Sequence, residues 1–167
     1  SSSIGGWIQS AFLSGSLATQ SYDHFGSSIS VNSVGDRVIV GASADEAAGA
    51  GASSGLAYIF VSGASGWTQQ SVLSGSLAVD ASDGFGTEVA MNSTGDRVIV
   101  GAYQDESGST TSTGVAYVFV SGATGWAQDP RIIGSLATQS GDNFGYSVAM
   151  NASGRDRKST RLNSSHV

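Results

Sequence analysis

The chain has 167 residues, a formal net charge of −6, 24 glycines, one proline and no cysteine, so it has no disulfide framework and no thiolate chemistry. Before Arg155 its only basic residues are Arg37, Arg97 and Arg131, against twelve acids. That body lacks the positive footprint which nucleic acid or an anionic membrane surface demands, and no run of about eighteen apolar residues offers a membrane-spanning helix.

In chain order, Trp7 to Leu13 reads as a strand, the last of a preceding unit (residues 1–13). A first complete unit spans residues 14–73. It carries Asp23, then Phe25-Gly26, then the alternating run Ser28-Ile29-Ser30-Val31, a strand with one face in a core. Asn32 to Asp36 reads as a tight turn with glycine at its bend. Val38-Ile39-Val40, ending in Gly41, and Ala57 to Val61, holding Tyr58, are continuously apolar and read as strands buried on both faces. A low-complexity loop, residues 43–54, joins them. Ser62 to Gly66 is a second turn, and Trp67 to Leu73 a fourth strand.

The pattern then returns over residues 74–133. Asp83, Phe85-Gly86, Glu88 to Met91, Val98-Ile99-Val100, Gly101, Tyr117 and Trp126 take the places of their counterparts. Residues 134–154 begin a third copy with Asp142, Phe144-Gly145 and a lone strand around Ser147 to Met150. Tryptophans 7, 67 and 126 are spaced by 60 and 59 residues, and so are phenylalanines 25, 85 and 144. The loop of residues 103–113 is one residue shorter than its counterpart, which places it at the surface. A regular repeat of this length is a tandem array in which each unit needs neighbours to bury its apolar faces. Four short antiparallel strands per unit predict an all-β chain. The expected fold is a fragment of a β-propeller, with two complete four-stranded blades and partial flanking ones in an open arc; a β-solenoid and a string of small sandwiches are the alternatives.

Phe-Gly before a strand, Gly-Asp-x-Val-Ile-Val-Gly-Ala, Gly-x-Ala-Tyr-x-Phe and Trp-x-Gln recur at fixed offsets across residues 4–154. Together they resemble the bacterial form of the FG-GAP repeat, related to the blades of the integrin α-subunit. The resemblance implies an extracellular or surface-attached propeller serving adhesion or ligand binding, with a protein or glycan partner. Many such repeats carry an acidic Asp-x-Asp-x-Asp-Gly calcium loop before the Val-Gly-Ala strand. Here that place holds Asn-Ser-x-Gly-Asp-Arg, one carboxylate beside an arginine, which cannot supply the six to eight oxygens calcium takes. No cofactor is expected there.

Asp23, Asp83 and Asp142 could be ligands, but a residue shared by every unit is more simply explained by a shared task, accepting turn amides. Phe25, Phe85 and Phe144 read as core between units, with Gly26, Gly86 and Gly145 permitting close backbone approach. Asp45-Glu46 and Asp105-Glu106 are the only adjacent acid pairs. They are weak metal candidates, with a solvated loop as the plainer reading. Trp7, Trp67 and Trp126 read as buried, with sugar stacking as the alternative. No catalytic constellation is visible: His24 is the only histidine before the last residues, and its counterparts are Gly84 and Asn143. The expected function is a non-enzymatic binding module. A carbohydrate-binding propeller and a structural spacer are the alternatives.

The third copy breaks at Gly154. Residues 155–167 hold four of the seven basic residues, and Asp156 to His166 resembles a translated sequencing adapter. This tail is expected to form no strand. The blades at either end are expected to leave Val89, Met91, Val148 and Met150 poorly covered.

Overall fold

The computed structural model describes residues 9–46, 53–78, 80–106, 112–155 and 157–160, and among them there is no helix. The strands are β1 (Phe25–Val31), β2 (Arg37–Ala42), β3 (Leu56–Gly63), β4 (Gly66–Leu73), β5 (Phe85–Met91), β6 (Arg97–Ala102), β7 (Val115–Gly122), β8 (Gly125–Gln128), β9 (Ser147–Met150) and β10 (Arg157–Thr160). They form two open, four-stranded antiparallel meanders, β1-β2-β3-β4 and β5-β6-β7-β8, and a two-stranded β9-β10 pair.

Local chemistry sets these elements. Asn32 Oδ1 accepts the amides of Gly35, Asp36 and Arg37, all at 3.1 Å, which closes the β1–β2 turn. Asn92 serves the β5–β6 turn, accepting the Arg97 amide at 3.0 Å, and its side-chain amide holds Asp96 and keeps that carboxyl below its usual range. Phe25-Gly26 and Phe85-Gly86 open irregular stretches, where the β1–β2 and β5–β6 registers shift. Such a bulge bends the strand away from its ladder.

The sheets stack with a fixed polarity. Each has a leading face and a trailing face. Val89, Met91, Val98, Val100, Phe85, Tyr117 and Phe119 form the leading face of the second sheet and pack with Ile39, Ala57 and Ile59 on the trailing face of the first. Ile99, Ala116 and Val118 on the second trailing face take Val148, with Phe144 and Met150 beside them. Burying each such side chain is worth roughly 1.5–3 kcal/mol. The half-exposed Arg97–Asp129 pair at 3.8 Å belongs to a class worth about 0–1 kcal/mol, so packing between sheets dominates.

This polarity corrects several expectations. Val89 is 3% and Val148 7% exposed, because each lies on a leading face that meets the sheet before it. On the leading face of the first sheet, Ile29 is 63% and Val31 55% exposed, and nothing among the described residues covers them. The expectation that β1 would turn one face into a core therefore fails for the first copy and holds for the second. Residues 9–13 form no strand and pair with none of the described strands, but Leu13 packs with Leu17 and Ala18 against Val40, Tyr58 and Phe60. Trp7 lies outside the described residues.

The fourth strand of the second sheet is shorter than expected. β8 stops at Gln128; the Asp129 amide still donates to the Val118 carbonyl at 2.8 Å, and the next bridge is at Ile132, which exchanges amide hydrogen bonds with Ala116 at 3.0 and 2.8 Å. Pro130 has no N–H to give the ladder. The tail does form a strand: β10 pairs Arg157 with Met150, in the register by which Val98 pairs Met91. Ladder bonds use the main chain, which any residue but proline supplies. The half-buried Ser159 adds its hydroxyl, which accepts the Gly145 amide at 2.8 Å. No helix among the described residues is long and apolar enough to cross a membrane.

Candidate functional site

The repeated motifs meet at one joint. Gly86 sits at φ +88°, and a Cβ there would lie 2.3 Å from the Leu56 carbonyl oxygen of the preceding sheet. A Cβ on Gly41 would lie 1.9 Å from the Gly86 oxygen, and one on Gly55 would lie 2.0 Å from the Phe85 oxygen. The same three approaches recur at the next joint with Gly145, Gly101 and Gly114 at 2.3, 1.9 and 2.0 Å. Only glycine lets the two backbones come this close. Hydrogen bonds fasten the contact: Phe85 N to Ser54 O at 2.9 Å, and Phe144 N to Thr113 O at 3.0 Å. The hydroxyls of Ser28 and Ser30 accept the amides of Val89 and Met91 at 3.1 and 3.0 Å.

Beside each joint lies an acidic centre. Asp23, Asp83 and Asp142 are buried. Their Oδ2 atoms accept amides three residues back, from Gln20 at 2.6 Å, Asp80 at 2.8 Å and Gln139 at 2.9 Å, so each does hold a turn. The acid pairs of the long loops are not solvated as expected. Asp45 and Asp105 are 0% exposed, because the chain turns inward there and their Oδ2 atoms accept the hydroxyls of the buried Tyr58 and Tyr117. Asp83, Asp105 and the half-buried Glu106 bring one carboxylate oxygen each within 4.8 Å of one another.

The two centres differ. In the first, the Gln20 side-chain amide donates to Glu46, and the Glu46 amide donates to Asp45 Oδ1 at 2.8 Å. In the second, Asp80 stands where Gln20 stood, and Asp105 Oδ1 is buried with no hydrogen-bond partner. Burial pushes Asp105 up to about 6, with Glu106 adding to it and the Tyr117 hydrogen bond opposing it. The Glu106 amide also draws Asp105 downward without reaching hydrogen-bond geometry. Burial likewise raises Asp83 to about 6, aided by the charges of Asp105, Glu106 and Asp80. Burial raises Asp45 as well.

A model of the FG-GAP repeat matches residues 13–60 and 67–119. The chain belongs to the FG-GAP repeat family. FG-GAP repeats occur in extracellular, integrin-like propeller domains, and the family is a structural and binding unit, generally non-enzymatic. No curated protein matches the chain. Among solved structures, that of Saccharomyces cerevisiae Sqt1 matches at 11% identity and a TM-score of 0.44, over 67% of this chain and 24% of that one. The chain thus spans about a quarter of that protein's length.

The other motif residues of these FG-GAP units take framework places. Phe25 and Phe85 set their rings 5.5 Å from Tyr58 and Tyr117. Trp67 and Trp126 are half-buried, not buried, because they head the outermost strands. One face of Trp126 lies 5.9 Å under the Arg37 guanidinium, and its Nε1 donates to Gln70 at 3.3 Å. Arg37 makes no pair with Asp36; it reaches to the Gly95 carbonyl of the next turn at 2.8 Å.

One repeated segment escaped the sequence reading. Gly15-Ser16-Leu17-Ala18, Gly75-Ser76-Leu77-Ala78 and Gly134-Ser135-Leu136-Ala137 are near-silent in composition. The first two lie over Tyr58 and Tyr117, where a Cβ on Gly15 or Gly75 would enter the ring at 2.6 or 2.7 Å. Gln69 and Gln128, the glutamines of Trp-x-Gln, clamp Ser16 and Ser76 through both amide and hydroxyl. The recurrence itself was the available signal. Between the first two units a cleft of about 200 Å³ opens, lined by His24, Ser43, Ala44, Ser53, Tyr103 and Gln104 among others.

Proposed function

We propose that the chain is part of a non-enzymatic extracellular or cell-surface propeller that binds a protein ligand through the loops at the rim between its sheets. One observation carries this reading: the units keep the same glycines, aspartates and aromatic rings at the joint and differ where they face the cleft. Asp, Phe, Gly and Tyr of the joint do not vary between copies. At the rim, Ser43 and Ala44 become Tyr103 and Gln104, and His24 becomes Gly84 and then Asn143. Loops on a rigid scaffold are where recognition concentrates, and a ligand that touches several units reads the residues that differ. The cleft mixes hydroxyl, amide and imidazole groups with one aromatic ring, a lining suited to a polar protein loop.

The test immobilises the intact chain and probes it with arrayed extracellular proteins and, in parallel, arrayed glycans. Binding to a protein that falls at least tenfold in Tyr103→Ala or His24→Ala, with the circular dichroism unchanged, is the expected result. Binding indifferent to both substitutions, or binding to glycans alone, overturns it.

A further inference from the structure

We propose that the second unit holds a divalent, oxygen-seeking cation of the calcium class between Asp83, Asp105 and Glu106, with Asp80 adding charge beside it. The site is not at the β5–β6 turn, where one carboxylate stands alone; it lies where the long loop folds back against the segment before Phe85.

Geometry supports the assignment first. Oxygens on opposite sides of a calcium ion lie about 4.6–5.2 Å apart, given Ca–O distances of about 2.3–2.6 Å. Three carboxylate oxygens within 4.8 Å of one another therefore fit inside one coordination shell. The donor set is all oxygen, with no histidine or cysteine, which favours calcium, magnesium or manganese over zinc.

The second observation is independent of the cluster. Asp105 is wholly buried, and its Oδ1 has no hydrogen-bond partner although Oδ2 is held by Tyr117. A buried carboxylate oxygen without a donor is costly unless the carboxyl takes up a proton or a positive charge lies beside it. The first unit shows how the same fold behaves when the protein supplies its own donors. There Gln20 and the Glu46 amide satisfy the equivalent acids. Asp80 in place of Gln20 removes a donor and adds a carboxylate, so the second centre repels itself unless protons or a cation enter.

The test uses the intact chain freed of divalent ions and titrated with terbium, whose emission Tyr117 sensitises, followed by calcium competition. One ion per chain, displaced by calcium, is expected. Asp80→Gln, which rebuilds the first-unit arrangement, and Glu106→Gln should each weaken binding at least about tenfold. Gln20→Asp should raise the stoichiometry to two. These positions are exposed or half-buried, and unchanged circular dichroism without metal shows that the variants fold. Absence of saturable emission overturns the proposal. So does emission that calcium does not displace, or affinity unaltered in both Asp80→Gln and Glu106→Gln.

Discussion

At the residue scale, two carboxyls sit in the wrong solvent for their charge. Asp83 and Asp105 are held near 6 by burial, above the ordinary 3.8, with Asp80, Glu106, Tyr117 and Arg131 as the groups that act on them. Where the folded state keeps a proton that the unfolded chain releases, stability falls as pH rises. With divalent ions chelated, their contribution is fully present below about pH 4 and is lost as pH climbs through about 6. The urea midpoint should accordingly be higher at about pH 5 than at about pH 7.5, and Asp105→Asn should flatten that difference. A midpoint that rises across this interval would show that these acids are stabilised by donors and not starved of them. Their burial was not legible in the sequence. Asp-Glu in a glycine-rich loop has the composition of a solvated segment, and only Tyr58 and Tyr117, twelve or thirteen residues further on, bring the aspartates inward.

At the scale of elements, most strands were legible because β-branched runs and glycine turns punctuate the sequence locally. What could not be read was the direction in which the sheets stack. Ser28-Ile29-Ser30-Val31 and Glu88-Val89-Ala90-Met91 have the same alternation, yet one exposes its apolar residues and the other buries them, because burial depends on a neighbour and not on the strand. The glycines that follow Phe25 and Phe85 provide an internal control, since only the second meets a preceding sheet among the described residues. Gly26 and Gly86 share a left-handed φ, +93° and +88°, but a Cβ at Gly26 meets nothing within 4 Å. Gly26→Ala should cost about 1–2 kcal/mol of backbone strain alone. Gly86→Ala adds a clash with the Leu56 carbonyl and should cost about 3 kcal/mol or more. Equal denaturation midpoints for the two variants would mean that the joint opens easily and carries little of the stability.

For the whole molecule, the exposed leading face has a behavioural consequence. Ile29 and Val31 belong to the class of surface that the trailing face of a preceding sheet covers in the next unit, and contiguous apolar exposure drives association. Replacing both with threonine, which keeps the branched shape strands favour, should raise the fraction that remains monomeric in sedimentation at high concentration. An unchanged distribution would place the sticky surface elsewhere, Phe12, Tyr22, Val34 and Leu136 being more exposed still.

The identity of the two joints also bears on how such chains change over generations. The three backbone approaches at Gly86 are reproduced at Gly145 to the same tenth of an ångström. Misaligned recombination between two units in the coding sequence, at any matching position, yields a hybrid unit that still presents the same joint on both sides. Gain or loss of a whole sixty-residue unit therefore leaves the three glycine approaches between sheets intact, while side-chain contacts such as those of Ser28 and Ser30 depend on which copy is kept. A gain or loss of a few residues is tolerated mainly in the long loop, where the two copies already differ by one. The number of units is in this sense inherited more loosely than their spacing.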